Sequence, residues 1–197
     1  MPRIRADDYD AKYKTILDNA AALFADVGYP NAKMLDIARV CGATKSMLYH
    51  YFATKDDLLF ALLSEHLERL IADIENALEA AEPAGDRFTH FVELYVQKSA
   101  QSRQRHVSAM NDVKFLPPEM QQQIRALEAQ AVGLVAAILR GVKPGLADNL
   151  YKPYALLLLG MLNWTDLWYD PNGYMPPAEL RDRIARLFLD GFLAQPG

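Results

Sequence analysis

Apolar residues along most of the chain recur three or four positions apart, which is the spacing of one face of an α-helix. The first such stretch ends before Gly28, a residue type that often closes a helix. Its apolar positions are Ile16, Leu17, Ala20, Leu23, Phe24 and Val27. Alternating apolar and polar positions, the pattern of a half-buried strand, never extend beyond three or four residues. The pattern therefore predicts an all-α fold.

Two short helices are predicted next, over residues 33–40 and 45–51. Gly42 lies between them, where a sharp turn requires a positive φ that glycine adopts without strain. Ala38 allows the two helices to cross closely, and Thr44 is a good N-cap for the second one. This is the sequence pattern of a helix-turn-helix. The residues expected to face the interior are Met34, Ile37, Ala38, Cys41, Met47, Leu48 and Phe52.

The rest of the chain predicts longer helices. One is capped by Thr54 and is expected to run toward Ala81, after which Pro83 and Gly85 interrupt the pattern. The others are predicted near residues 86–101, 103–112, 118–140, 146–169 and 177–193. We therefore divide the chain into an N-terminal three-helix helix-turn-helix domain, residues 1–55, and a C-terminal helical bundle, residues 56–197.

The second short helix carries the polar residues of most interest. Lys45, Ser46, Tyr49 and His50 are expected on its outward side, next to the Thr44 cap. Such a helix fits a major groove, because amides and cations at its start meet phosphates while hydroxyls and imidazole reach bases or phosphates. The alternative is a structural helical turn with a solvated surface histidine, since helix–glycine–helix turns are common in bundles.

Charge is distributed unevenly along the chain. The net charge is −4, yet residues 1–55 hold eight Lys and Arg against six Asp, which leaves −6 for the remainder. An acidic protein can bind nucleic acid when its basic groups share one face. The single cysteine, Cys41, excludes an internal disulfide and a cysteine-based zinc site, and it is expected to be a buried, unreactive residue.

The N-terminal pattern resembles the DNA-binding signature of TetR-type transcriptional regulators over residues 9–62, without a gap. The resemblance is carried by FADVGY at 24–29, DIA at 36–38, CG at 41–42, LYHYF at 48–52, Lys55, and the leucines at 58 and 59. One departure is visible at Ala32 and Lys33, where the family usually has Thr or Ser at the start of the second helix. Lys33 is expected to replace the missing hydroxyl–phosphate contact by its charge.

The resemblance implies a homodimer that reads a pseudo-palindromic, double-stranded DNA operator with two recognition helices roughly 34–36 Å apart. The DNA contacts carried over by position are Lys33, Thr44, Lys45, Ser46, Tyr49, His50 and Lys55. Tyr49 and Lys55 are expected on phosphates. Arg3 and Arg5 form either an arm that reaches a minor groove or a solvated tail.

The resemblance also implies that the C-terminal bundle binds a small-molecule effector. The segment NWTDLWY at 163–169 looks like the penultimate helix end of TetR-type regulators that answer acyl-CoA thioesters. Asn163 is expected on a thioester carbonyl or amide, and Arg103, Arg105, His106 and Lys114 on CoA phosphates. The candidate ligand-binding residues are Tyr95, Arg103, His106, Met110, Phe115, Asn163, Trp164 and Trp168. The alternative to a CoA thioester is a smaller aromatic or drug-like effector. The alternative for the basic cluster is an ordinary solvated surface.

By the same resemblance, helices 146–169 and 177–193 form the dimer interface. The residues that fit such an interface are Leu156, Leu157, Leu159, Gly160, Ile184, Leu187, Phe188, Gly191 and Phe192. A monomer would expose a large apolar patch.

Other classes of protein fit the sequence less well. The four histidines, at 50, 66, 90 and 106, lack HExxH spacing, and no G-x-S-x-G, P-loop or dinucleotide motif is present. Glu65, His66 and Glu93 are a conceivable metal group, although a solvated helix face is favoured. A helical adaptor without DNA binding is the third class. We expect no enzyme activity, no cofactor, no metal and no membrane contact. The longest apolar run spans nine residues, 154–162, and no secretory signal opens the chain, which favours a cytoplasmic protein.

Overall fold

The computed structural model consists of α-helices joined by short turns. It describes the backbone of residues 3–79 and 83–195, and the side chains of residues 9–79, 83–98, 111–165 and 167–195. The elements are α1 Arg3–Val27, α2 Met34–Val40, α3 Lys45–Tyr51, α4 Lys55–Glu79, α5 Ala84–Asp112, a 3-10 turn Val113–Phe115, α6 Pro118–Val142, α7 Asp148–Trp168 and α8 Pro177–Leu193. The all-α prediction is confirmed for this part of the chain.

The predicted helix-turn-helix is present, with its boundaries within one residue of those expected. Gly42 ends α2 with a φ of +58°, and the Ala43 amide donates to the Ala38 carbonyl at 2.9 Å across the turn. The Thr44 hydroxyl accepts a hydrogen bond from the Met47 amide at 3.1 Å and so caps α3 as predicted. Lys33 lies just before α2 as an extended N-cap residue whose side chain makes no capping bond.

Two predictions of local structure are wrong. The stretch predicted as two helices, 86–101 and 103–112, is the single helix α5, because its polar middle contains neither glycine nor proline. The backbone at Arg3 and Arg5 lies in α1 and forms neither an extended arm nor a tail; the side chains there lie outside the described residues.

The described residues fall into two compact units. The first contains the chain up to His66 together with Gln104–Arg125, and the second contains Leu67–Arg103 and the residues from Ala126 onward. Helices α4, α5 and α6 each contribute residues to both units. The functional division at residue 55, with DNA binding before it and effector binding and dimerisation after it, stays a prediction.

Each unit has its own apolar core. In the first, side chains of α1 to α4 are fully or almost fully buried, among them Ile16, Leu17, Phe24, Ile37, Leu48, Phe52, Leu58 and Leu62. In the second, the core combines residues of all its helices, among them Ile74, Phe88, Phe91, Val135, Tyr151, Leu158, Leu162, Phe188 and Phe192. Burial of each such side chain contributes about 1.5–3 kcal/mol, so the apolar period read from the sequence is what fixes the helices in place. No described helix has the length and apolar character needed to cross a membrane.

Candidate nucleic-acid interface and effector site

Helix α3 has a buried side and an exposed side. Leu48 and Phe52 are buried in the first unit, and they anchor the helix. Thr44, Lys45, Ser46, Tyr49 and His50 are all exposed, with Tyr49 42% accessible. The Lys45 ammonium lies 5.6 Å from the centre of the Tyr49 ring. The five residues predicted for α3 thus form one continuous surface, called the α3 surface below.

Aromatic contacts hold α3 against α1. The ring of Tyr9 stacks on Tyr51 with a centroid distance of 4.6 Å, and the ring of Tyr13 lies 5.2 Å from that of Phe52. Sequence reasoning missed Tyr9 and Tyr13, because residues outside the helix-turn-helix gave no local signal for a contact with it. These contacts fix the orientation of α3 and therefore of its exposed side chains.

The start of α2 adds an exposed cation to the surface of the first unit. Lys33 is exposed, whereas the Arg39 guanidinium is paired with the Asp36 carboxylate at 3.2 Å. Cys41 is buried at the end of the helix, and this burial raises the pKa of its thiol against the opposing effect of Lys12. The prediction that Cys41 is a buried, unreactive residue is confirmed in its burial.

Lys55 has a structural role that the sequence did not reveal. Its ammonium donates to the carbonyl oxygens of Tyr29 at 2.8 Å and Ala32 at 2.9 Å, and it lies 4.2 Å from the centre of the Tyr29 ring. Two of its three N–H groups are therefore committed to the turn between α1 and α2. Burial lowers the pKa of Lys55 below its ordinary value, and the neighbouring Asp56 carboxylate only partly opposes this decrease. Its phosphate contact stays a prediction that depends on the third N–H group.

The α3 surface and Lys33 combine chemistry suited to a polyanion. Cationic groups, hydroxyls and the amides at the start of a helix are the donors that proteins direct at phosphates, and Lys, Ser and Tyr side chains also reach base edges. No group of three or more His, Cys, Asp or Glu side chains that would hold a metal is found in the described part of the chain.

Two of the predicted effector residues meet in the second unit. The Tyr95 hydroxyl on α5 donates a hydrogen bond to the Asn163 side-chain carbonyl on α7, and Tyr95 is buried. They are 68 positions apart in the chain, so the folding of α5 against α7 is what joins them. The pair places an amide and a phenol beside the apolar core of the second unit, where each satisfies a polar atom of the other.

The other predicted effector residues are not part of this pair. Phe115 belongs to the first unit, and Trp164 and Trp168 are 65% and 53% exposed on α7. The side chains of Arg103, Arg105, His106 and Met110 lie outside the described residues. The ligand role of all these residues stays a prediction.

Comparisons with known proteins match both units of the chain. Residues 16–62 match the family described as bacterial regulatory proteins of the tetR family, and residues 81–192 match the tetracyclin repressor-like C-terminal domain. The second match covers more than half of the chain. The chain belongs to the TetR family. That family consists of helix-turn-helix transcriptional regulators that bind DNA operators as dimers, and the relatives named below are regulators rather than enzymes.

Solved structures and curated relatives agree with this membership. A TetR-family transcriptional regulator from Bordetella parapertussis is 34% identical with a TM-score of 0.84, over 94% of this chain and 97% of that one. The transcriptional repressor Rv1474c of Mycobacterium tuberculosis is 36% identical over 36% of this chain and 38% of its own. The fold is shared with AibR, solved with isovaleryl coenzyme A and operator DNA, at 22% identity and a TM-score of 0.78, over 89% of this chain and 97% of that one. The chain spans about two fifths to two thirds of the first curated relatives it matches.

Helix α7 has an apolar exposed face. Its residues are Leu156, Leu157, Gly160, Trp164, Leu167 and Trp168, called the α7 face below, and they recur at helical spacing. Leu187 and Gly191 are exposed on α8. Four residues expected at the interface, Leu159, Ile184, Phe188 and Phe192, are instead buried in the core of the single chain. That part of the prediction is corrected. Helix α7 is apolar on both sides, and the sequence alone does not show which side is covered, whereas the apolar stripe of α8 packs within the single chain and its exposed side is mostly charged.

Proposed function

We propose that this TetR-family chain is a ligand-responsive transcriptional repressor that binds a pseudo-palindromic operator as a homodimer. The α3 surface, with Lys33 and the third N–H of Lys55, is assigned to the DNA. The observation that carries this proposal is the division of α3 into a fully buried anchor, Leu48 and Phe52, and an exposed polar side. A recognition helix needs both, because bases are read only if the helix is held rigidly against the domain.

The α7 face supports the homodimer. It presents two tryptophans and three leucines to solvent on one helix, and Gly160 in its middle allows a second helix to approach closely. Soluble monomers rarely expose contiguous apolar patches of this kind. A symmetric pair would set two α3 helices about one DNA turn apart, roughly 34–36 Å.

The effector is proposed to be an acyl-CoA or aromatic-CoA thioester bound near the Tyr95–Asn163 pair. The pair supports this assignment because its amide and phenol are suited to a thioester carbonyl or a pantetheine amide. AibR, which shares the fold, was crystallised with isovaleryl coenzyme A. Trp164 and Trp168 we assign to the dimer rather than to the effector, because their side chains are exposed.

A smaller aromatic or drug-like effector is the second candidate. A cavity of about 230 Å³ lies between α5 and α8, lined by Glu93, Val96, Gln97, Pro177, Ala178 and Arg181. Sites for drug-sized ligands occupy about 300–1,000 Å³, so a cavity of this size favours a compact ligand over a whole CoA molecule.

The proposed mechanism is a shift of population between two states of the dimer. The free dimer holds its α3 helices at operator spacing, and the effector favours a state in which they separate. Helix α4 contributes residues to both units and is the proposed connection. Linkage then requires that effector and operator weaken each other by the same factor.

The test is selection of DNA from a random pool by the purified full chain, with and without isovaleryl-CoA and a mixture of longer acyl-CoA thioesters. A palindrome that is lost when thioesters are added is the expected result. A palindrome retained with all thioesters would contradict the effector assignment alone. No enriched sequence at moderate salt would contradict the DNA assignment.

A further inference from the structure

Tyr29 is the centre of a cluster at the turn between α1 and α2. Its hydroxyl donates to the Asp56 carboxylate, and its own carbonyl accepts from the Lys55 ammonium at 2.8 Å. The ring contacts Phe24 edge-on at a centroid distance of 5.1 Å. Burial, followed by the hydrogen bond to Asp56, raises the pKa of the Tyr29 phenol well above its ordinary value. Tyr29 is thus held in the turn by its hydroxyl, its carbonyl and its ring.

The remaining face of the Tyr29 ring is covered by a residue from a distant part of the chain. Phe115 stacks on it with ring centroids 5.6 Å apart and an interplanar angle of 23°. Phe115 ends the 3-10 turn between α5 and α6, which belongs to the same compact unit as the helix-turn-helix. The Lys114 ammonium lies 5.1 Å from the centre of the Phe115 ring.

The segment that carries Phe115 is itself fixed. The Gln121 side chain on α6 donates to the Leu116 carbonyl at 2.8 Å, and Leu116 is buried. The Leu116 amide donates to the Val113 carbonyl at 3.1 Å and closes the turn. These two hydrogen bonds fix the turn, so the Phe115 ring is held against Tyr29 and can fix the position of the Tyr29 ring.

We propose that Phe115 is a positioning residue for DNA binding, which acts by stacking on Tyr29 and so holds the α1–α2 turn with Lys33 in place for a phosphate. The chain of contacts is short. Phe115 fixes the Tyr29 ring, Lys55 ties the backbone of Tyr29 and Ala32 together, and Lys33 is the next residue. This inference rests on the proposed DNA-binding function. It assigns Phe115 to DNA binding by the first unit instead of to the effector pocket.

The first arm of the test needs no DNA. Hydrogen exchange is compared in the full dimeric protein, in Phe115→Ala, in Phe115→Tyr, which retains an aromatic ring, and in Leu150→Ala. Leu150 is a matched control because it is 38% exposed against 40% for Phe115, but lies in the second unit. We expect faster exchange of the Asn31, Ala32, Asp36 and Ile37 amides, whose acceptors are Gly28 and Lys33, in Phe115→Ala alone.

The second arm uses the operator recovered by selection and its affinity as a function of salt. Positions of this kind change coupling by amounts that correspond to roughly 2- to 30-fold in affinity, and we expect a loss in that range for Phe115→Ala. The logarithm of the affinity falls as the logarithm of the salt concentration rises. Loss of the Lys33 contact in both subunits makes this negative slope shallower by about 2. The same change of slope is expected for Lys33→Gln. The double variant that combines Phe115→Ala with Lys33→Gln should show no further change. A variant that is only less stable would keep the wild-type slope.

Unchanged exchange in the α1–α2 turn of Phe115→Ala would overturn the inference. An unchanged salt slope of operator binding in Phe115→Ala would also overturn it. So would a Phe115→Tyr variant that behaves like Phe115→Ala and not like the wild type. If Phe115→Ala does not fold, Phe115→Leu replaces it, since leucine keeps apolar bulk without the aromatic stack. Failure of the wild-type protein to bind any DNA would contradict the proposed function, and the exchange arm would still report on the contact itself.

Discussion

The two compact units differ in how far their functional residues can be inferred from local sequence. In the first unit, five of the seven candidate DNA-binding residues lie in α3 or directly before it. Their exposure follows from the burial of Leu48 and Phe52 on the opposite side. In the second unit, Tyr95 and Asn163 meet only because α5 packs on α7. A local surface is therefore visible in a pattern of a few residues, whereas a pocket depends on contacts between distant segments.

The largest expected effect concerns the α7 face. Leu157→Arg places a charge in the centre of a proposed apolar interface, where an unpaired charge is costly to bury. We expect the subunits to dissociate at micromolar concentration. Operator affinity should then fall more than about 100-fold, because a single subunit makes only half of the DNA contacts of the dimer. Sedimentation and operator titration measure the two effects. Lys152→Glu is the control, since Lys152 is also exposed on α7 but lies outside the α7 face. A dimeric Leu157→Arg protein would contradict the assignment.

The anchor of α3 gives the next largest effect. Leu48→Ala removes a fully buried side chain and is expected to lower the free energy of unfolding of the first unit by about 3 kcal/mol. Leu35→Ala on the neighbouring helix is the matched control, because Leu35 is exposed and its truncation should change stability by less than about 0.5 kcal/mol. Chemical denaturation of both variants measures the difference. Equal effects would mean that α3 is not held by its buried side.

The Tyr95–Asn163 pair gives a smaller effect on stability. Tyr95→Phe removes the hydroxyl that donates to the Asn163 carbonyl, and we expect a loss of about 1 kcal/mol. Isovaleryl-CoA titrated against both proteins by calorimetry tests the site. Weaker binding in the variant is expected if the pair lies at the effector, and Tyr154→Phe on α7 serves as a control. Identical binding to the variant and the wild type would move the effector elsewhere.

An effect of the same size concerns the start of α3. Thr44→Ala removes the hydroxyl that accepts from the Met47 amide, and caps of this kind contribute about 1 kcal/mol. Thr44→Ser retains the cap and should behave like the wild type. Thermal unfolding of the two variants measures the difference. An equal loss in Thr44→Ser would show that the methyl group, and not the cap, is what matters.

Sequence reasoning succeeded where the signal was local. Gly42 and Thr44 fixed the limits of α3, because a positive φ and a capping hydroxyl are requirements of the backbone at those positions. The same reasoning divided α5 wrongly, since a polar stretch interrupts the apolar period without interrupting the helix.

Long-range contacts were beyond the reach of the sequence. Nothing near Phe115 in the sequence indicates that it stacks on Tyr29, 86 positions earlier, so the sequence alone places it among the effector residues. Helix α7 is apolar on two sides, so Leu159 of the core could not be separated from the exposed Leu157. On α8, Phe188 of the core directly follows the exposed Leu187, whose side of the helix is otherwise charged. Periodicity identifies an apolar stripe, and only packing shows which part of it is covered.

The most direct test of the central claim, that the α3 surface binds the operator, compares Tyr49→Ala with Tyr174→Ala. Both are exposed tyrosines, and Tyr174, 91% exposed in the α7–α8 connection, lies outside the α3 surface. Operator affinity of the dimers is measured at two salt concentrations. We expect a loss of roughly 10- to 150-fold for Tyr49→Ala, because a hydrogen bond to a charged phosphate contributes about 1.5–3 kcal/mol, and wild-type affinity for Tyr174→Ala. Wild-type affinity in a folded, dimeric Tyr49→Ala protein would contradict the account.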